Sequence, residues 1–161
     1  MGQYHILVNL SKKEFVHPHQ IGNGLKLHEQ IGFDCSTATA LVMLIAASSG
    51  RGGGDFSQHH RIGSWAGDKI AFVGDYAERN DIKGYNSKLI YDVCSWVKYG
   101  CDQGDVPTPY IKNRPRFIAA AAGWKNISLQ VQQMLAGEFD VAFKGVSDEW
   151  LNIIPLPKQK I

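Results

Sequence analysis

Short apolar runs with strand-like character open the chain. Residues 4–10 (YHILVNL) are rich in β-branched and aromatic side chains and predict a first strand, and residues 14–17 predict a second strand beside it. Pro18 ends the second strand, because proline lacks the N–H group that a sheet ladder requires. Farther along, residues 61–65 and 69–75 flank a Gly-Asp turn and predict a β-hairpin.

A helical pattern follows in the segment with the strongest apolar character. Residues 36–49 predict a helix that Ser36 caps at its start and that Gly50 ends in a left-handed conformation. The middle of this segment, ALVMLIAA, is apolar on nearly every face, so we expect a buried central helix packed against a sheet. A shorter helix at residues 25–30 has Asn23 as its predicted cap.

The second half of the chain predicts two amphipathic helices and leaves one run open. Residues 87–99 place apolar side chains on one face, and residues 128–136 do the same before Gly137 closes the helix. Residues 117–122 (FIAAAA) fit either an alanine-rich helix or a buried strand, and periodicity does not separate the two. Residues 139–143 predict a last strand.

The mixture of hairpin signals and separate helices predicts an α+β fold with a mostly antiparallel sheet. The 161 residues suit one globular domain that spans residues 1–161. A chain of this size buries roughly two-thirds of its unfolded surface and needs no disulfide or metal to fold. The buried central helix at residues 36–49 and two or three further amphipathic helices complete the predicted core.

Cysteine usage and apolar run lengths indicate the compartment. Cys35, Cys94 and Cys101 make an odd count without a C-x-x-C pair, so we expect reduced thiols rather than a disulfide framework. The first residues lack the features of a signal peptide. The longest apolar run, residues 38–47, is about half as long as the roughly 20 residues that a membrane-spanning helix needs. We therefore expect a soluble cytoplasmic protein with no membrane partner.

The glycine-rich stretch GRGGGDFSQHH at residues 50–60 is the first candidate site. Consecutive glycines let backbone amides converge on an anion, and an arginine can donate two hydrogen bonds to one phosphate. Phosphate loops normally precede a helix, whereas this stretch follows one, so a flexible loop that caps the helix is the alternative. The residues assigned to ligand binding are Arg51, Gly52, Gly53, Gly54, Asp55, His59 and His60.

A pair of histidines supports a second hypothesis, a metal site. His17 and His19 flank Pro18, and side chains two residues apart in an extended chain project to the same side. With a third ligand from Asp55, His59 or His60, of which Asp55 is the one assigned, they form a candidate site for a divalent metal, which a phosphoester hydrolase would use. The alternative is that these histidines only make hydrogen bonds within loops. The favoured prediction includes no cofactor.

The balance of charge limits the class of partner. The chain has 17 basic and 15 acidic residues, which gives a net charge of +2. Aromatic and basic side chains do interleave at Tyr110, Lys112, Arg114 and Arg116, a pattern that suits single-stranded nucleic acid. The small net charge argues against a strong field over the whole molecule, so we do not expect a nucleic-acid partner.

Three motifs carry a resemblance to a known group of sequences. The motifs HPH at residues 17–19, RGGGD at 51–55 and WAGDKIAFVGDY at 65–76 resemble a family of uncharacterised small proteins of bacteria and their phages. The resemblance covers roughly residues 4–80 and implies no activity and no catalytic residue. It implies an accessory role in a phage or mobile element, a setting in which small proteins bind a host protein or sequester a ligand.

The sequence favours a binding protein over an enzyme. Its predicted partner is a small anionic, nucleotide-like ligand at residues 51–55 or a host protein. One alternative is the metal-dependent phosphoester hydrolase that uses the His and Asp residues. The other is a structural or interaction protein without a small-molecule site, and a stable homodimer would favour it.

Overall fold

The computed structural model describes residues 2–33, 35–56, 59–98 and 105–139. Its strands are β1 (His5–Asn9), β2 (Glu14–Val16), β3 (Ile70–Gly74) and β4 (Lys125–Asn126). Its α-helices are α1 (Leu27–Ile31), α2 (Thr37–Leu44), α3 (Ser87–Lys98), α4 (Arg114–Ala122) and α5 (Ser128–Phe139). Two 3₁₀ helices, Pro18–Ile21 and Thr108–Asn113, connect them. This mixture confirms the predicted α+β fold.

The four strands form one mixed sheet in the order β3-β1-β2-β4. The central strand β1 pairs antiparallel with both β2 and β3, so that Leu7 lies opposite Val16 on one side and Phe72 on the other. The edge strand β4 pairs parallel to β2. The predicted strands at residues 4–10 and 14–17 are therefore confirmed, whereas the two-residue strand β4 has no pattern that would predict it.

Helices cover both faces of the sheet, because successive side chains of a strand point to opposite sides. Leu7 and Val16 pack on one face with buried residues of α2 and α5 and with the fully buried Trp65. Ile6 and Phe15 pack on the other face against α3. A third apolar cluster joins α3 to α4. The sheet is thus the middle of three layers.

The predicted hairpin is correct only in its second arm. Residues 69–75 contain β3, but residues 60–67 form a succession of turns, and β3 pairs with β1 instead. The amide of Gly63 donates to the carbonyl of Met43, and the amide of Trp65 donates to the carbonyl of Leu44. Backbone groups that a hairpin would pair with a neighbouring strand are bound here to the end of α2.

The same contacts explain why α2 is shorter than the predicted helix at 36–49. Ser36 caps the helix as predicted, since its side chain accepts from the amide of Thr39. The helix stops at Leu44 because the turn at residues 63–65 binds its last carbonyls, and Gly50 lies beyond it in the following loop. Helix α2 packs in the core, but only one of its sides is buried, whereas the sequence predicts burial on nearly every face.

Two further differences concern the other helices. Asn23, predicted to cap the helix at residues 25–30, instead accepts hydrogen bonds from the amide (2.7 Å) and the hydroxyl (3.1 Å) of Thr37, at the start of α2. The undecided run at residues 117–122 is helical and belongs to α4. Helix α5 continues past the predicted stop at Gly137 to Phe139. The predicted strand at residues 139–143 otherwise lies outside the described residues.

No helix in the described part of the chain is long and apolar enough to cross a membrane.

The contact between Asn23 and α2 generates the first prediction. Asn23→Ala leaves the buried amide of Thr37 without its acceptor, and the loss of such a partner costs about 1–3 kcal/mol. We expect a decrease of that size in the free energy of unfolding, measured by urea denaturation. Asn80→Ala, at an exposed turn position, is the matched control and should change stability by less than about 0.5 kcal/mol. Equal effects of the two substitutions would contradict this role of Asn23.

Candidate functional site

The glycine-rich loop forms the predicted amide nest, but an internal carboxylate occupies it. The amides of Gly50, Arg51 and Gly52 each donate to the same Asp55 oxygen at 3.0 Å. Hydrogen bonds from the Arg51 and Gly52 amides hold the pKa of the Asp55 carboxyl below its ordinary value. The loop therefore has anion-binding geometry, and the anion in this conformation is its own aspartate.

The glycines of this loop have a conformational role that is separate from ligand binding. Gly50 has a φ of 93° and Gly54 a φ of 85°, in the left-handed region where other residues are strained. Residues 50–55 are exposed, and Ser49, which precedes them, is half-buried. The Arg51 side chain is exposed with them, so the loop presents a cation to solvent but no enclosed site.

His59 and His60 lie together beyond the loop, with their rings stacked at 4.4 Å between centroids. His59 Nδ1 accepts from the amide of Arg61 at 3.1 Å, and the ring also contacts Gln133 of α5. Burial, with a smaller effect of His60, lowers the pKa of His59 to about 4. The neutral His59 imidazole accepts this backbone hydrogen bond and thereby holds the turn between His59 and Arg61.

His17 and His19 form a second pair, with ring centroids 5.4 Å apart. His17 Nδ1 accepts from the amide of His19 and caps the 3₁₀ helix Pro18–Ile21. The His17 amide donates to the hydroxyl of Ser128 at 2.8 Å. Burial, together with the charges of Lys98 and His19, lowers the pKa of His17 to about 3. This imidazole is buried and neutral.

The residues predicted as metal ligands do not come together. Among the described residues, no three side chains of His, Cys, Asp or Glu lie close enough to hold a metal ion. His17 and His19 face each other, while Asp55 binds the amides of its own loop. Backbone amides already donate to His17 Nδ1 and to the Asp55 carboxylate. A metal site built from His17, His19 and Asp55 stays a prediction.

The most enclosed charged group in the described structure was not predicted from the sequence. Both carboxylate oxygens of Glu14 accept from Arg61 Nη1, at 2.9 and 3.0 Å, and Oε1 also accepts from the indole of Trp65 at 2.8 Å. Arg61 Nε donates to Gln130 of α5. The side chains of Arg61 and Glu14 are only 15% and 10% exposed. A glutamate beside the apolar Phe15 and Val16 is the one sequence signal that indicates it.

This cluster has the character of a structural support. The Glu14 carboxylate receives three hydrogen bonds, and the guanidinium is held from two sides. The partners come from β2, from the turns at residues 60–67 and from α5, so the cluster joins three parts of the fold. Because its hydrogen bonds join these three parts, we interpret the pair as a support of the fold.

Exposed cations lie on another surface, at the start of α4. Lys112, Arg114 and Arg116 are exposed and are called here the basic face. The ion pairs found among the described residues are Lys12–Asp68, Arg61–Glu14 and Lys88–Asp92, and none involves these three side chains. Residues 106–137 contain no Asp or Glu at all. The basic face therefore has no internal counter-charge along its own segment.

The aromatic residues beside the basic face point inward. The Tyr110 ring lies 4.7 Å from that of the buried Phe117, and its hydroxyl donates to Asp92 at 2.6 Å. Trp96 contacts Phe117 edge-on at 5.4 Å and donates to the carbonyl of Asp105. These rings fill the cluster between α3 and α4 and are not available to stack on nucleic-acid bases.

A small cleft lies at the end of β3. It has a volume of about 140 Å³, and the polar side chains of Gln3, His5, Asp81 and Ser87 line it together with apolar residues of β3. Pockets that enclose drug-sized ligands measure roughly 300–1,000 Å³. The cleft is too small to enclose a nucleotide, so it does not replace the glycine-rich loop as a nucleotide site.

No family model matches this chain, and neither a curated protein nor a solved structure matches it.

The buried ion pair generates the second prediction. Arg61→Met leaves the Glu14 carboxylate without its cation, and the loss of one partner of a buried pair typically costs about 3 kcal/mol or more. We expect a decrease of this size in the free energy of unfolding, measured by urea denaturation. Lys88→Met removes a more exposed pair within α3 and should cost less than about 1 kcal/mol.

A second substitution tests whether the uncompensated charge causes this loss. Glu14→Gln removes the charge and retains an acceptor for the Trp65 indole. Adding it to Arg61→Met should therefore recover at least about 1 kcal/mol of stability. A double variant that is less stable than Arg61→Met alone would show that packing, rather than charge, determines the effect of Arg61.

The buried histidines generate the third prediction, acid sensitivity. The pKa of His17 falls from 6.5 to about 3, so the unfolded chain binds more protons than the folded chain between these values. The stability contribution of neutral His17 is complete above pH 6.5 and is lost as the pH falls toward 3. His59 acts in the same direction down to about pH 4.

Urea denaturation at stepwise lower pH measures this loss. One fully shifted group contributes a slope of up to about 1.4 kcal/mol per pH unit. His59→Gln should lose less stability than the wild type between pH 6.5 and 4, because glutamine does not titrate. Parallel curves for the two proteins would contradict the assignment of a neutral, buried His59.

Proposed function

We propose that this protein acts by binding rather than by catalysis, and that it docks on an acidic surface of a partner protein through the basic face. The observation that carries the proposal is the set of three exposed cations without a described ion-pair partner. A cluster of one sign raises the local concentration of an oppositely charged partner and speeds association, even when the total charge is only +2.

The surroundings of the basic face favour a protein over nucleic acid. Ile111 is 62% exposed and Ile118 is 38% exposed, so exposed apolar side chains lie in the same segment of the chain as the cations. Protein interfaces commonly combine apolar contacts with a charged rim, and arginine is enriched among their strongest contributors. The rings of Tyr110 and Phe117 pack against each other in the interior and so do not offer a platform for unpaired bases.

The basic face, rather than the glycine-rich loop, is the proposed place of the interaction with an anionic partner. A ligand anion at residues 50–52 would have to displace Asp55, whose carboxylate receives three amide hydrogen bonds there. The cations of the basic face have no such internal competitor among the described residues. An anionic ligand at Arg51 and a role in a phage or mobile element stay predictions.

A charge-reversal experiment tests the proposed function. The probe is a short peptide that mixes glutamate with leucine, labelled for fluorescence anisotropy. We expect Arg114→Glu/Arg116→Glu to weaken its binding about tenfold, which corresponds to about 1.4 kcal/mol. The matched control is Arg79→Glu/Lys83→Glu, which changes the net charge equally at exposed positions outside α4. Binding to wild type should also weaken as salt rises.

Two outcomes would overturn the proposal. Equal weakening by both double variants would mean that only the total charge attracts the peptide. A single-stranded oligonucleotide that binds more tightly than the peptide, and loses affinity only with Arg114→Glu/Arg116→Glu, would assign the face to nucleic acid instead. Circular dichroism of each variant establishes that the fold is retained before binding is compared.

A further inference from the structure

A further exposed cation lies at the other end of α4, outside the basic face. Lys13 belongs to the turn between β1 and β2, and its side chain lies over Gly123, the residue that follows α4. The Cδ and Nζ atoms of Lys13 are 3.7 and 3.9 Å from the position that a Cβ atom on Gly123 would occupy. The fold therefore places a lysine from the first strands of the chain beside the helix that begins with the basic face.

The backbone holds Lys13 in this position. Its φ of 55° lies in the left-handed region, which residues other than glycine adopt infrequently. Its carbonyl accepts a hydrogen bond from the amide of Lys125 at 2.9 Å, so the turn is attached to the segment that leaves α4. None of the ion pairs found among the described residues involves Lys13. Its charge is therefore available to a partner at this end of the helix.

Helical spacing puts this cation on the same side of α4 as Arg116. Arg116 and Gly123 are seven residues apart, close to two turns of about 3.6 residues, and Gly123 keeps right-handed helical backbone angles. A rise of about 1.5 Å per residue separates the two positions by about 10 Å along the axis. Ala119, about one turn after Arg116, is exposed between them. The surface between the two cations thus consists of small side chains and backbone.

We propose that the partner of the basic face is an extended acidic segment of a protein, which lies along α4 and contacts Lys13 as a second anchor. This inference rests on the proposed function, because the basic face is the first anchor. Side chains four residues apart in an extended segment project to the same side and lie about 13 Å from each other. That spacing suits two acidic groups, one at Arg116 and one at Lys13. The small residues between the anchors let the segment approach the helix closely.

Two peptides of equal charge and length, labelled for fluorescence anisotropy, test the second anchor. In the divided peptide, neutral glycine and serine residues separate two pairs of glutamates, and in the contiguous peptide the same glutamates stand together. We expect the wild type to bind the divided peptide about threefold more tightly at low salt, which is the effect of one exposed ion pair. Lys13→Asn should abolish this preference. Asparagine removes the charge and adopts the left-handed backbone more readily than most residues.

The matched control is Lys83→Asn, which removes the same charge at an exposed turn position outside α4 and should leave the preference intact. Equal affinity of the wild type for the two peptides would overturn the second anchor. So would a preference that survives Lys13→Asn, or one that both lysine variants abolish. Circular dichroism and the melting temperature of each variant establish that the fold is retained.

The variant Arg114→Glu/Arg116→Glu separates failure of this inference from failure of the proposed function. If the double variant weakens the binding of both peptides while Lys13→Asn changes neither, the basic face binds acidic groups and only the second anchor is wrong. If the double variant weakens neither peptide, the proposed function fails as well. A single-stranded oligonucleotide that binds more tightly than the divided peptide, and loses affinity with Lys13→Asn, would assign this side of α4 to nucleic acid and overturn the inference.

Discussion

The hydrogen-bonded ion pair between Glu14 and Arg61 holds together parts of the chain that no regular secondary structure connects. Residues 60–67 form turns without a strand or helix of their own, yet they carry Trp65 into the core. The carboxylate on β2 holds Arg61 and the Trp65 indole, and Gln130 extends the contact to α5. The geometry of the polar cluster thereby fixes how this irregular segment packs on the sheet. The same segment binds the last carbonyls of α2 and so sets the length of that helix.

Local patterns were sufficient for the elements whose interactions are local. The apolar run at residues 4–10 and the amphipathic spacing of α3 predict their elements correctly. A strand that is covered on both faces is apolar throughout, and a helix that is buried on one side repeats its apolar residues with the helical period. The end of α2, the hydrogen bonds of Asn23 with Thr37 and the absence of the first arm of the predicted hairpin could not be predicted this way. Each depends on a partner many residues away, such as Trp65 for Leu44, and the same is true of the pairing of β4 with β2.

The candidate site shows the same division between local and distant information. The glycine spacing correctly indicates a cluster of backbone amides, and the residue that fills it, Asp55, stands in the same short stretch. What the sequence did not contain was the direction of the carboxylate, which turns back onto the loop instead of outward. His17 and His59 likewise accept hydrogen bonds from backbone amides two residues away, which residue type alone does not reveal. By contrast, the absence of acidic residues from 106–137 is visible in the sequence, but the net charge of +2 concealed it.

The parallel pairing of β4 with β2 has a consequence for the order in which this fold can be completed. The chain makes β1, β2 and β3 within its first 74 residues, whereas the partner of Glu14 and Phe15 on the other edge is Lys125–Asn126. During synthesis from the N-terminus, the outer edge of β2 therefore stays without its partner β4 until α3 and α4 have been synthesised. Contacts of such long sequence separation slow folding, because a large loop must close before they contribute. A two-residue strand thus makes closure of the sheet depend on the last third of the protein.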